Sequence, residues 1–437
     1  MRKSTLDNGV VGIKNAFTRK HKPDHKIIMY MGVLMMLGLV VIYAIGPQRA
    51  NVLNNAYGAD YSDSYFFIKQ LASLALALVS FTLMSIIPFT FFQKHSKAIL
   101  ISGFIASGVL VLFGNIFHFD QIVQCSLGAC RWISLGPFGT FQPAELLKFG
   151  MLVFVAGFLG IRVNQGLLND VNKTLIPLAI LLITAIIFVI GLQKDMGTGM
   201  VIIAIVASML MVAGIKKRYG AIMIAGVVLL GLGLIIIAPH RIERITTFLA
   251  GDSSSVTDSG DYHIVHAKIA IGSGGIIGVG IGNSVQATGY LPEAINDSVF
   301  AIMGETFGFI GLVIIIILFT ALLMRILRVA DYLPDMRMKL IAVGSFSWLG
   351  AHVILNIAAM IGVFPLTGIT LPLLSFGGTS MIFIAGILGL TFQLSRYTSH
   401  SLNIKESSHE TNPGSWRRVG RTRNASHRRN LRNTKAQ

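Results

Sequence analysis

The sequence predicts an all-α polytopic membrane protein of about ten transmembrane helices, with a large outer loop between spans 7 and 8. Three observations predict it. Of 437 residues, 53% are hydrophobic and only 13% charged, and a mean hydropathy of +0.70 is far above that of a water-soluble domain. Several apolar runs reach the ~20 residues a helix needs to cross ~30 Å of hydrocarbon. The Lys and Arg residues gather at alternate connections instead of spreading along the chain. A formal charge of +17 would otherwise suggest nucleic acid. Its excess lies in two tails and in short loops, the pattern that orients membrane proteins, so no nucleic-acid partner is expected.

In order, the spans are Ile27–Ile45, Phe66–Phe89, Ala98–Phe117, Leu146–Ile161, Thr174–Leu192, Gly199–Ile215, Ala221–Ala238, Ser298–Met324, Leu340–Val363 and Ser380–Tyr397. The first follows a basic tail and has no A-x-A-like site after it, so it is expected to stay as a signal anchor. An even number of spans puts both termini on one side. The two tails and the connections on their side hold 28 of the 36 Lys and Arg residues. Residues 1–26 and 398–437 are therefore expected in the cytoplasm by the positive-inside rule. The second of these is rich in Arg, Ser, Asn and His and is expected to be disordered. It either holds anionic lipid or an acidic partner, or simply fixes topology.

The outer connections 118–145, 239–297 and 364–379 carry nearly all the unusual sequence, which makes the outer face the active one. In the first, Arg131-Trp132 precedes Gln142-Pro-Ala-Glu145 and Lys148. Glu145 and Lys148, three apart at a helix start, share a face. They form either a local ion pair or, with Arg131, a cationic grip on a diphosphate. Cys125 and Cys130 form a small disulfide loop or remain thiols. Asp195, in the short turn Gln193–Thr198, either caps the next helix or reaches a central cavity.

Gly278-x-Gly280-x-Gly282 is no nucleotide loop, because no strand–helix–strand unit surrounds it; flexible backbone or close helix packing accounts for it. After Glu293 and Asn296, Asp297 stands at the mouth of the eighth span, where an ionisable group points to function. Asn356 and the segment Phe364–Ser380, with Ser375, Gly377 and Gly378, read as a re-entrant segment, either structural or part of a lipid-diphosphate site. His240, His263, His266 and His352 lack ligand spacing, so structural or solvated roles are expected.

These motifs, in this order from Ile27 to Tyr397, resemble the SEDS family (shape, elongation, division and sporulation proteins), the polytopic peptidoglycan polymerases. Gly282–Gln286 and Leu366–Leu373 are similar to the division branch rather than the elongation branch. The chain departs from the family pattern at Ile295-Asn296 (commonly His-Thr), Lys194 (often Pro), Thr306 (Glu), Phe376 (Tyr), and His263 and His352 (both commonly Gln).

The resemblance implies that residues 27–397 form a transmembrane catalytic domain that polymerises lipid II on the outer face. Asp297 would be the catalytic base. Arg131, Trp132, Gln142, Glu145, Lys148, Asp195, Glu293, Asn356, Ser375, Gly377 and Gly378 would surround the substrate. Polyprenyl diphosphate is the implied leaving group, and a divalent cation (Mg or Mn) the one implied cofactor, with no nucleotide cofactor. The implied partners are a class B penicillin-binding transpeptidase and other division proteins at the septum of a bacterial plasma membrane. A lipid II flippase and an inactive scaffold are the competing classes.

Overall fold

The computed structural model describes residues 22–117, 119, 123–126, 129–136, 139–236 and 259–398. Residues 1–21 and 399–437 of the predicted tails, and the outer-loop stretch 237–258 with His240, lie outside the described residues.

The first helix, α1 (His25–Tyr57), is opened by the Asp24 carboxylate, which accepts from Lys26 N at 3.2 Å, and closed by Gly58 at φ +63°. Its 33 residues make it about 50 Å long, well beyond the hydrocarbon thickness. The predicted stop at Ile45 is too early because Pro47 continues the helix instead of ending it. The extension from Pro47 to Tyr57 reaches the glycine segment near Gly282, a contact described below.

There follow α2 (Tyr65–Ile86), the short α3 (Phe89–Lys94), α4 (Ser96–Val111) and α5 (Pro143–Asn164). Next come α6 (Ile176–Ile186, between the π-helical turns Val171–Leu175 and Ile187–Leu192), α7 (Met196–Ala213) and α8 (Lys217–Ile236). The described residues end with α9 (Ser259–Ser273), α10 (Val299–Tyr332), α11 (Met336–Met360) and α12 (Gly378–Leu394). Among the described residues, nine helices are long and apolar enough to cross a membrane. The seventh predicted span corresponds to α8, a further 20-residue apolar helix.

The buried centre consists of α5, α11 and α12, and the other spans expose apolar side chains outward. In lipid, helix association relies on close approach more than on hydrophobic burial. Gly103 of α4 and Gly150 of α5 show how it is reached: a Cβ on either would sit 2.8 Å from the Cα of Leu147 or Leu100 on the opposite helix.

Two features depart from the sequence expectation. The outer loop before α5 carries a three-stranded antiparallel sheet, β1 (Val123–Ser126), β2 (Ala129–Ser134) and β3 (Thr140–Phe141), in order β1-β2-β3. The fold is otherwise helical, as the sequence predicts. Cys125 and Cys130 face each other across β1 and β2 and are joined as a disulfide, which decides between the two open readings.

The connection 239–297 is not simply an outer loop either. Helix α9 runs along α10, and the glycine segment after it pairs by backbone with a break in α10. Gly308 has φ +67° and ψ −169°, about 14 Å along the helix from Val299. The polar groups freed there are satisfied by Val279 N to Glu305 O (2.9 Å), Gly280 N to Thr306 O (3.1 Å), Phe309 N to Gly275 O (2.9 Å) and Ile310 N to Ile276 O (3.1 Å). A Cβ on Gly278 or Gly308 would collide with the backbone of the opposite segment. Close packing is thus the role of these glycines.

Candidate active site

Among the described residues, Lys148 is the most deeply buried charged side chain. Pro143 starts α5, Glu145 lies in its first turn and Lys148 follows one turn later. The Lys148 ammonium has no exposure and donates to Glu145 Oε1 at 2.8 Å. It also meets His352 Nε2 of α11 at 3.1 Å and lies 4.9 Å from the centroid of the Trp348 ring. An ammonium has only donors, so His352 Nε2 accepts and the ring proton sits on Nδ1. A buried charge persists only when paired and hydrogen-bonded. His352, expected to be structural or solvated, thus stands against the key lysine, and Trp348 was missed altogether.

Arg131 and Asp195 belong to a second cluster. Strand β2 carries Arg131 to the α6–α7 turn, where Nη2 donates to Lys194 O at 2.7 Å. Gln142 Nε2 donates to Asp195 Oδ2 at 3.0 Å. Asp195 also caps α7, accepting from Thr198 N (3.0 Å) and Thr198 Oγ1 (2.8 Å). Cap and cross-link are both true of it. The guanidinium of Arg131 faces Gly368, whose added Cβ would be 3.6 Å from Nη1, and its buried Nε makes no hydrogen bond. Donors therefore remain for an anion. Trp132 is half-buried in β2 opposite Gln124.

Asp297 closes the turn that leads to Ser298, the N-cap of α10. Asn356 Nδ2 donates to both Asp297 O and Ile369 O at 2.7 Å, and Phe376 N donates to Ile295 O at 2.8 Å. These bonds fasten the Asp297 turn to the segment before α12. Ser298 Oγ donates to Pro292 O at 2.8 Å and meets His263 Nε2 at 2.6 Å. The single hydroxyl proton is spent on Pro292, so His263 is the donor in that contact.

His352 and Asn356 are one turn apart on α11 and so share a face. One helix face thus holds the Lys148 charge and the Asp297 main chain. The remaining candidates are dispersed. Glu293 is exposed, lies 3.8 Å from Arg49 and accepts from Asn296 Nδ2. The Ser375 hydroxyl is turned inward and accepts from Leu371 N at 2.8 Å. Gly377 and Gly378 are half-buried, near Thr370 and Ser73.

Lys194 (φ +55°), Glu293 (φ +49°) and Leu373 (φ +65°) are the non-glycine residues at positive φ among the described residues. All three sit in these outer segments, where such strain tends to concentrate.

Two further supports escaped the sequence reading. Gln48 Nε2 on the α1 extension donates to Gly282 O at 3.1 Å, beside Arg49. The buried Glu305 accepts from Ser284 Oγ (2.5 Å) and Val285 N (2.9 Å), which locks the loop leading to Asp297. A carboxylate inside an apolar span was the available signal. Among the described residues no three His, Cys, Asp or Glu side chains form a metal-holding group. Glu145 is committed to Lys148 and Asp195 to three donors. By themselves these residues do not build a cage for a divalent ion.

Residues 24–400 match the family of FtsW, RodA and SpoVE, described as cell cycle proteins. Stage V sporulation protein E of Bacillus subtilis is 33% identical over 88% of this chain and all of its own length. A probable peptidoglycan glycosyltransferase FtsW of Nitrosomonas europaea is 34% identical over 83% of this chain and 90% of its own. Among solved structures, a chain from work on structural coordination of polymerization and crosslinking by a peptidoglycan synthase complex aligns with TM-score 0.64. That alignment is 23% identical and covers 86% of this chain and 98% of the other. The rod shape determining protein RodA of Thermus thermophilus aligns with TM-score 0.59 at 22% identity, over 86% and 98%. The chain is therefore an integral membrane protein of the FtsW/RodA/SpoVE family, the SEDS family that its motifs resemble.

Proposed function

We propose that this protein is a peptidoglycan glycosyltransferase of the bacterial plasma membrane that polymerises lipid II on its outer face. The observation that carries the reading is the α11 face on which His352 meets Lys148 and Asn356 holds the Asp297 main chain. That face puts a cation and a candidate base in one framework, as an acid–base displacement of a diphosphate requires.

In the reaction, the GlcNAc 4-hydroxyl of one lipid II attacks the anomeric carbon of the glycan on polyprenyl diphosphate. The new C–O bond forms as the bond to the diphosphate oxygen breaks, with inversion. Asp297 takes the hydroxyl proton. Arg131 and Lys148 oppose the charge that accumulates on the leaving diphosphate, and Glu145 holds Lys148 in place. A divalent cation, Mg or Mn, bound with the substrate's own phosphates would add to that charge stabilisation. No nucleotide cofactor enters this chemistry.

Both termini face the cytoplasm in this reading, on the charge distribution of the loops. The division branch is favoured by Gly282–Gln286 and Leu366–Leu373, and by relatives that carry the FtsW name. A class B penicillin-binding transpeptidase at the septum is the corresponding partner, and the synthase-complex neighbour supports that pairing.

The test supplies purified lipid II to the wild type and to Asp297→Asn, with and without the transpeptidase. The wild type should make polymer and the variant none while remaining folded. Near-normal polymerisation by the variant sinks the base assignment. Absence of polymer from the wild type with its partner favours a flippase.

A further inference from the structure

On the side opposite the outer site, α4, α5 and α6 enclose an apolar groove of about 150 Å³, lined by Leu100, Phe154, Phe158, Pro177, Leu178 and Leu181. Helix geometry gives its depth. Leu100 is four residues into α4, Phe158 six residues before the end of α5, and Pro177 six residues past Val171. At 1.5 Å per residue the lining lies roughly 6–15 Å in from the helix ends, at the level of lipid acyl chains.

Each of these three helical segments also carries one cation, three or four residues nearer the surface than a lining residue. Lys97 precedes Leu100, Arg162 follows Phe158, and Lys173 precedes Pro177. The Arg162 guanidinium lies over the Phe158 ring itself, 5.2 Å from its centroid. Its hydrogen-bond partner is the neutral Gln165 Oε1 at 3.2 Å.

Two other arginines on this side are matched: Arg325 pairs with Asp24, and Arg337 with Asp335. Among the described residues, no carboxylate lies within ion-pair distance of Lys97, Arg162 or Lys173. The nearby Asp170 spends an oxygen on the Lys173 backbone N–H at 2.9 Å. Lys216 N donates to Asn169 Oδ1 at 2.9 Å, which draws the basic run Lys216–Arg218 beside the same connection.

A positive-inside bias alone would scatter cations along this surface. It would not place one above each wall of the same groove, with one of them stacked on a wall residue. We propose that the groove is a binding site for an anionic phospholipid of the inner leaflet. One acyl chain lies against Phe154, Phe158 and Leu181, and the phosphate is held by Arg162 with Lys97 and Lys173. Arginine offers the phosphate a planar two-donor contact, and the lysines add point charges. Taking about a fivefold gain per cation near anionic lipid, the three together favour an anionic over a zwitterionic headgroup by roughly 100-fold. The inference depends on the proposed orientation of the chain and not on its catalytic chemistry.

The experiment is native mass spectrometry of the full-length detergent-solubilised protein, titrated with phosphatidylglycerol or with phosphatidylcholine of the same acyl chains. The wild type should retain one phosphatidylglycerol with about 100-fold preference. Lys97→Gln/Arg162→Gln/Lys173→Gln, which leaves Lys216–Arg218 and both tails to set orientation, should bring the two lipids to parity. Leu181→Trp should fill the groove and lose both. Excess inorganic phosphate should displace nothing, because the acyl chain contributes to binding; displacement by phosphate would assign a free-anion site instead. Equal retention of the two lipids by the wild type overturns the proposal, as does undiminished phosphatidylglycerol retention by the triple variant. A co-purified polypeptide that Leu181→Trp expels overturns it in favour of a protein contact.

Discussion

Replacing Glu145 with Leu should separate what its pair with Lys148 does for stability from what it does for catalysis. The Lys148 ammonium has no exposure, and Glu145 Oε1 at 2.8 Å is the one anion bonded to it. Its other contacts, His352 and Trp348, are neutral. Removing one partner of a buried pair typically costs about 3–5 kcal/mol, or roughly two to three and a half decades in the folded ratio. Glu145→Leu/Lys148→Met leaves neither charge in the interior and should recover most of that loss. Both variants should fail to polymerise lipid II, the first because Lys148 is misplaced and the second because it is gone. Unfolding in mixed micelles, run beside a polymerisation assay, reads the two effects separately. Wild-type stability in Glu145→Leu, or polymer made at a normal rate by the double variant, would refute these roles of the pair.

Asn356→Leu should leave Asp297 O and Ile369 O without their shared donor. Loss of two buried hydrogen bonds at ~1 kcal/mol each predicts at least a tenfold fall in kcat, measured by single-turnover polymerisation. Cys125→Ser/Cys130→Ser opens a loop whose closure contributes about 2 kcal/mol. Arg131 directly follows Cys130 in β2, so reductant should lower wild-type activity severalfold and leave the Ser/Ser variant unchanged. Gly308→Ala meets both a positive φ and the backbone of the 274–280 segment. It should unfold the protein or lower its Tm by many degrees in a thermal scan, whereas Gly226→Ala, with nothing within 4 Å, should have little effect.

Much of this was legible in the sequence, for identifiable reasons. Spans announce themselves because hydrocarbon forces every backbone group into a helix, so α5, α7 and α11 could be placed within a few residues. Glu145 and Lys148 could be paired from their spacing alone, and Asp195 could be read as a cap from its position before an apolar run. What the sequence hid were contacts between distant segments. Nothing local tells that His352 reaches Lys148, 204 positions away, or that Gln48 props Gly282. The α1 extension was lost because Gly46-Pro47 is a stop signal in most settings. Strands β1–β3 were lost because they are two to six residues long and lie inside a loop read for its polar motifs.

The break in α10 has a consequence for how this protein can change through evolution. Where two segments are joined by main-chain hydrogen bonds, the side chains facing away are released from any duty to the join. Ile276, Ile277 and Phe309 are exposed, and any lipid-compatible residue should serve at those positions. Gly274, Gly278 and Gly308 have no such freedom, since any side chain would meet backbone. A saturation scan should therefore return a sharp two-state pattern along 274–280 and 305–310, with fixed glycines beside freely drifting apolar neighbours. Such a segment can retune its lipid surroundings one residue at a time while its main-chain hydrogen bonds stay as they are.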